Sequence, residues 1–111
     1  MIPQKLRLNS SRIENLFKKG GKINLDNCFA ARFLPSRDGT CRFCVIVNAK
    51  TAPGAVDRNR LRRQIYEIIR LHLELLTQPC DLAIICKKNA TGLEFNQLRE
   101  KIIQILNHLN K

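Results

Sequence analysis

Apolar residues fall at helical spacing in two stretches of this chain, about 56–76 and 94–109, and in short β-rich runs elsewhere. Asn9, Ser10 and Ser11 offer N-caps for a short helix over roughly 12–19, which Gly20 and Gly21 terminate. Residues 23–34 read as one strand ending at Pro35, and "SRDGT" at 36–40 is a turn with Asp-Gly at its centre. "CRFCVIVN" at 41–48 follows directly, so the two runs predict a β-hairpin. "TAPGA" punctuates the chain before the long helix, which "TQP" stops. "CDLAIIC" at 80–86 is a short apolar strand, and "NATG" at 89–92 leads into a last helix with Leu98, Ile102, Ile105, Leu106 and Leu109 on one face. The order helix, strand, strand, long helix, strand, helix predicts an α+β sandwich, one small sheet covered by helices on one side. The other sheet face is left open, as a place to bind something. With 111 residues and no repeat or linker, the chain reads as a single domain over 1–111.

Charge changes the picture most. Twenty Lys and Arg against 9 Asp and Glu give a formal +11, which points to a polyanionic partner. At 44% apolar composition the chain still has a core to fold around. It contains no run of 18 apolar residues to span a bilayer and no signal-peptide centre in "MIPQKLRLNSS", so the expected location is the cytoplasm.

Much of the charge sits in "DRNRLRRQIYEIIR", residues 57–70, which packs five arginines among Leu61, Ile65, Ile68 and Ile69. Projected at about 100° per residue from Arg58, Arg62 lies at about 40°, Asn59 at about 100°, Arg70 at about 120°, Arg63 at about 140° and Arg60 at about 200°. The four aliphatics fall from about 280° round to about 20°, with His72 in the same arc as a packing residue. The helix is therefore amphipathic, with its apolar side on the sheet and an arginine comb facing out. Guanidinium forks bind phosphate oxygens bidentately and stack on bases, which suits a folded nucleic acid better than lysines would. Like charges at i and i+4, such as Arg58 and Arg62, repel until a polyanion relieves them.

Catalytic chemistry is not visible. No paired carboxylates fall in a cleft-like context, and "KKGGK" at 18–22 lacks P-loop spacing. Cys28, Cys41, Cys44, Cys80 and Cys86 read as small core residues. The "CRFC" spacing at 41–44 opens a strand, where residues three apart face opposite sides, so neither a redox pair nor a zinc site is expected there.

The segment "RNRLRR", with a lysine-bearing loop before it and an aliphatic helix after it, resembles the signature of the bacterial ribonuclease P protein family. "KLRLNSSRIENLF" is similar to that family's opening and "CDLAIICKKNATGLEFNQL" to its last strand, loop and helix start, so the likeness covers nearly the whole chain. The resemblance implies a four-stranded sheet, its extra strand drawn from within residues 23–48, and a left-handed βαβ crossover. It also implies the role of a protein subunit of ribonuclease P, the endonuclease that removes the 5′ leader of precursor tRNA. In that role the RNA partner carries out hydrolysis with Mg2+, bound mainly by the RNA subunit and the substrate. This chain would supply no catalytic and no metal-ligating residue.

Carried onto this sequence, the resemblance assigns Arg58, Asn59, Arg60, Arg62 and Arg63 to the RNA subunit, and Arg70 extends the comb on the same face. It assigns Ile13, Phe17, Arg32, Asn48 and Lys50 to the precursor-tRNA leader. Ile13 stands where the family often has a second aromatic, "AK" replaces its usual Lys-Lys, and "TAPGAVD" is nearly stripped of basic residues. On the adjoining strand, alternation puts Cys28, Ala30 and Arg32 on one face and Phe29, Ala31 and Phe33 on the other. The phenylalanines go to the core and Arg32 to the cleft, the alternative being Phe29 and Phe33 as base platforms. A second functional class, a structural RNA-binding protein of ribosomal type, would use the same arginine helix without needing a single-strand cleft around Phe17.

Overall fold

The computed structural model describes residues 8–25, 28–36, 39–50, 52, 54–76 and 78–109. Several positions read from the sequence lie outside them: Lys5 to Arg7 of the opening motif, Asp26 and Asn27 in the first strand run, Asp38 of the turn, Thr51 and Pro53 of "TAPGA", and Thr77 of "TQP". The elements in chain order are α1 (Ser10–Lys19), β1 (Gly21–Asn24), β2 (Phe29–Pro35), β3 (Arg42–Ile46), α2 (Ala55–Leu71), β4 (Cys80–Cys86) and α3 (Phe95–His108). Short 3-10 turns at Leu73–Leu75 and Lys88–Gly92 follow α2 and β4.

The most apolar strand takes the centre. In "CDLAIIC" every residue but Ile85 is buried, and β4 lies between β2 and β3 in the order β1-β2-β4-β3. It pairs antiparallel with β2 and parallel with β3. The expected hairpin between 23–34 and 41–48 is therefore wrong: β2 and β3 do not pair, because β4 is inserted between them. The run 23–34 is also two strands, not one. β1 and β2 form the antiparallel pair, in register Gly21↔Phe33 through Asn24↔Ala30. Glycine is needed where α1 passes into β1, by close approach, since a Cβ on Gly21 would meet the Phe33 ring at 2.5 Å and one on Gly20 the Leu16 carbonyl oxygen at 2.4 Å.

Alternation then builds two layers. Phe29, Ala31, Phe43, Val45, Leu82 and Ile84 form one buried face with Leu61, Ile65, Ile68 and Ile69 of α2 and Leu98, Ile102, Ile105 and Leu106 of α3. Burying aliphatic side chains of this size contributes about 1.5–3 kcal/mol each, so this layer carries most of the stability. Cys28 precedes β2 and joins this main core, contrary to its expected side.

On the opposite face Leu16 of α1 packs with Leu8 and Ala83, bordered by Ile13, Leu34, Cys44 and Ile46. Helices thus cover both faces rather than one. α1 is N-capped by Asn9, whose Oδ1 accepts from the Arg12 N–H at 2.9 Å. It is tied down by Arg12 Nη1 donating to both oxygens of Asp81, each at 3.3 Å. Asp81 is the one charged residue buried among those described. Cys41 and Cys44 border opposite faces, as their strand spacing requires. The long helix ends at Leu71, short of 76, where His72 turns the chain with Nδ1–H donating to the Ile68 carbonyl at 2.8 Å.

Burial pushes the thiols of Cys80 and Cys86 up to about 12 from an ordinary 9.0. Above 9.0 the unfolded chain loses protons that the folded chain keeps, so stability falls as pH rises from there toward 12. The urea midpoint should drop between about pH 8 and about pH 10, and Cys80→Ala and Cys86→Ala should each flatten that drop. An equally steep drop in both variants would refute the assignment.

Candidate nucleic-acid interface

The arginine helix is not a uniform comb. Val45, on the edge strand β3, donates its backbone N–H to the Tyr66 hydroxyl at 3.2 Å. Arg62 Nη2 reaches the Val47 carbonyl at 3.3 Å while Nη1 donates to Asn59 Oδ1 at 2.9 Å. Arg58 Nη1 donates to the Ala52 carbonyl at 2.8 Å. Arg58 and Arg62 thus turn back and hold the β3–α2 connection against the helix. Their projected angles, about 0° and 40°, straddle that of Ile69 at about 20°, so both stand at the margin of the apolar arc. Arg70 donates through Nε to Glu67 Oε2 at 3.1 Å, and this bond holds the Glu67 carboxyl below its usual range.

That leaves Arg60 and Arg63. Both are exposed, and neither side chain has a hydrogen bond or ion pair with any described residue. They face one shallow groove with Gln64, Glu67 and Phe95. Asn59 and Arg63 border a second hollow with Val56 and Tyr66, where Val56 is 78% exposed in the first turn of α2. Of the six residues assigned to the RNA subunit, Arg60 and Arg63 present free guanidinium forks, and the other four are engaged within the protein, Asn59 through its Oδ1 while it stays exposed.

The second surface is the α1 face of the sheet. Leu16 anchors α1 over Ala83, so the next residue, Phe17, projects from the helix and stays 40% exposed. Arg32 on β2 places its guanidinium carbon 5.5 Å from the Phe17 ring centroid, a cation–π contact that fixes the ring from one side. The register puts Arg32 beside Lys22 on one side and Ala83 on the other, and places Ala30, Ile85 and Ile46 in the next row. Ile85 and Ile46 are only half-buried, so this row is a partly bare apolar floor.

Asn48 and Lys50 are exposed beyond the end of β3, on the opposite flank of that floor. They follow β3, which β4 separates from the strand that carries Arg32. Ile13 packs into the small cluster under α1 as an apolar wall.

Three contributors went unseen in the sequence. Tyr66 reads as an aromatic on a helix flank, and only the edge position of β3 gives its hydroxyl a partner. Lys87 Nζ donates to Asn24 Oδ1 at 3.1 Å across the sheet, a pairing 63 residues apart that local pattern cannot show. Phe95 is in helical phase with Leu98 and Ile102, so periodicity sends it to the core. As the first residue of α3 it lies past the rim of the core and remains 41% exposed.

Comparisons with known proteins bear on what these surfaces serve. A family model described as Ribonuclease P matches residues 2–110. The ribonuclease P protein component of Petrotoga mobilis is 32% identical over 110 residues, covering 96% of this chain and 91% of the relative. That of Finegoldia magna is 32% identical over 104 residues, covering 94% and 90%. Among solved structures, the RNase P protein from Thermotoga maritima superposes with a TM-score of 0.82 at 25% identity, covering 92% of this chain and 96% of that one. The Staphylococcus aureus RNase P protein, at 20% identity and TM-score 0.83, shares the fold.

The two classes of arginine separate by stability. Arg62→Ala removes bonds to Val47 and Asn59 and should lower unfolding free energy by about 1–2 kcal/mol. Arg63→Ala should stay within about 0.5 kcal/mol of the parent in the same denaturant titration. Equal losses would mean that both arginines are structural.

Proposed function

The chain belongs to the ribonuclease P protein family, and from that we propose that it is the protein subunit of a cytoplasmic ribonuclease P, acting in tRNA processing. It binds the catalytic RNA along the exposed flank of α2 and the 5′ leader of precursor tRNA over the α1 face of the sheet. The single observation that carries this reading is Phe17, an aromatic held bare above a sheet face and steadied by Arg32. A structural RNA-binding protein of ribosomal type would need the arginine flank but not this platform.

In this reading Arg60 and Arg63 donate to phosphate oxygens of the RNA subunit, releasing counterions as they bind. Arg58 and Arg62 act one step back, holding the connection that carries Asn48 and Lys50. An unstacked leader base lies on Phe17, the row of Ala30, Ile85 and Ile46 gives it an apolar floor, and Ile13 closes one side. Lys50 and Asn48 then meet the leader backbone at the far flank. Among the described residues no three His, Cys, Asp or Glu side chains gather as a metal-ligand set. In this reading the Mg2+ used in phosphodiester hydrolysis is held mainly by the RNA partner and the substrate phosphates. No helix among the described residues is long and apolar enough to cross a membrane.

Cleavage of precursor tRNA by the RNA subunit at low Mg2+, with and without this protein, tests the proposal. The protein should promote cleavage at the mature 5′ end. Arg60→Ala should weaken RNA-subunit binding and reduce the slope of log affinity against log salt by about one. Phe17→Ala should weaken binding of leader-bearing substrate by about 1–3 kcal/mol while leaving RNA-subunit affinity unchanged. Turnover indifferent to the protein, with no preference for this RNA over an unrelated structured one, would overturn the proposal in favour of the structural RNA-binding class.

A further inference from the structure

Beside the exposed flank of α2 lies a cavity of about 590 Å³, formed where the first turns of α2 meet the 3-10 turn after β4 and the start of α3. Leu61 and Leu93 give it an apolar lining, Asp57, Arg60 and Gln64 a polar one, and Glu94 also lines it with its carboxylate committed to the Gln97 backbone N–H. Phe95 stands at the rim and also lines the groove that Arg60 and Arg63 face, so cavity and groove are continuous. The side chains of Asp57, Arg60 and Gln64 have no hydrogen bond with any described residue, although Gln64 is half-buried.

A floor of aliphatics, an exposed ring at the mouth, one free carboxylate and two free donors suit a flat, polar-edged molecule. The adjoining guanidinium forks suit one attached to a phosphate chain. We propose that this cavity receives one unpaired guanine base of the RNA subunit, an inference that rests on the RNA-binding role argued above. Guanine presents two adjacent donors, N1–H and the N2 amino group, which an acceptor-only carboxylate takes together; Asp57 provides it. The neighbouring O6 accepts from the Gln64 amide, and the ring face stacks on Phe95. Arg63, outside the cavity, neutralises the adjoining phosphate. Adenine and cytosine offer the carboxylate a single amino group in place of two adjacent donors, so the lining favours guanine over them.

Kethoxal, which reacts with guanine at N1 and N2 when that edge is free, is the direct probe. The RNA subunit would be modified alone, with the parent protein, and with Phe95→Leu or Asp57→Asn, each variant first shown to melt like the parent. At least one guanine should be protected by the parent and regain reactivity with both variants. Phe95→Leu should also weaken RNA-subunit affinity about fivefold or more, with the salt dependence unchanged because no phosphate contact is lost.

If the parent binds with steep salt dependence but neither variant changes affinity or any guanine's reactivity, the cavity inference fails and the RNA-binding role stands. If the variants expose a different base, revealed by dimethyl sulfate or carbodiimide, the assignment to guanine fails. If the parent does not prefer this RNA at all, the functional reading fails and the cavity inference falls with it.

Discussion

The structure depends on one central strand that is buried along its length except at Ile85. β4 has neighbours on both edges, the α2–α3 layer on one face and α1 on the other, and its own sequence leaves little choice. A run as apolar as Leu82 to Cys86 is stable only where both faces are covered. Its one charge, Asp81, sits near the end of the strand, where Arg12 of α1 can reach it. A buried carboxylate without a partner is strongly unfavourable, so this ion pair restricts how α1 can lie on the sheet. That placement, in turn, sends Leu16 inward and leaves Phe17 bare.

The arginines show how one residue type serves two purposes at one surface. β3 is an edge strand, and an unpaired edge exposes donors and acceptors that invite association with other chains. Here Tyr66 accepts from Val45 and Arg62 donates to Val47, so the helix that follows β3 satisfies part of that edge. The guanidinium groups committed to this task are fixed in place before any nucleic acid arrives. Arg60 and Arg63, a turn's face away, remain free to bind.

Much of this was legible in the sequence. Helix positions, the buried faces of α2 and α3, the alternation of Phe29, Ala31 and Arg32, and the family itself followed from periodicity and motif. The pairing order did not, because a local Asp-Gly turn favours a hairpin while the partner that displaces it lies some 40 residues further on. The strand break between Asn24 and Phe29 was hidden because its flanks are equally compatible with extended chain. A helical projection gives angles but not reach, so it could not show that Arg58 and Arg62 bend back to carbonyl oxygens. Nor could it distinguish Phe95 at the rim from Leu98 in the core, since both share a phase.

The central strand is also synthesised after both of the strands it separates. Until residues 80–86 emerge, β2 and β3 have no common neighbour, and the nascent chain holds only the β1–β2 ribbon and isolated helical segments. A two-stranded ribbon is marginal in water, and contacts that close over such long sequence separations form late. The strongly basic α2 is therefore synthesised before the sheet it packs on can assemble. Its aliphatic face stays uncovered during that interval; β4 completes the sheet, and α3, made after it, completes the main core.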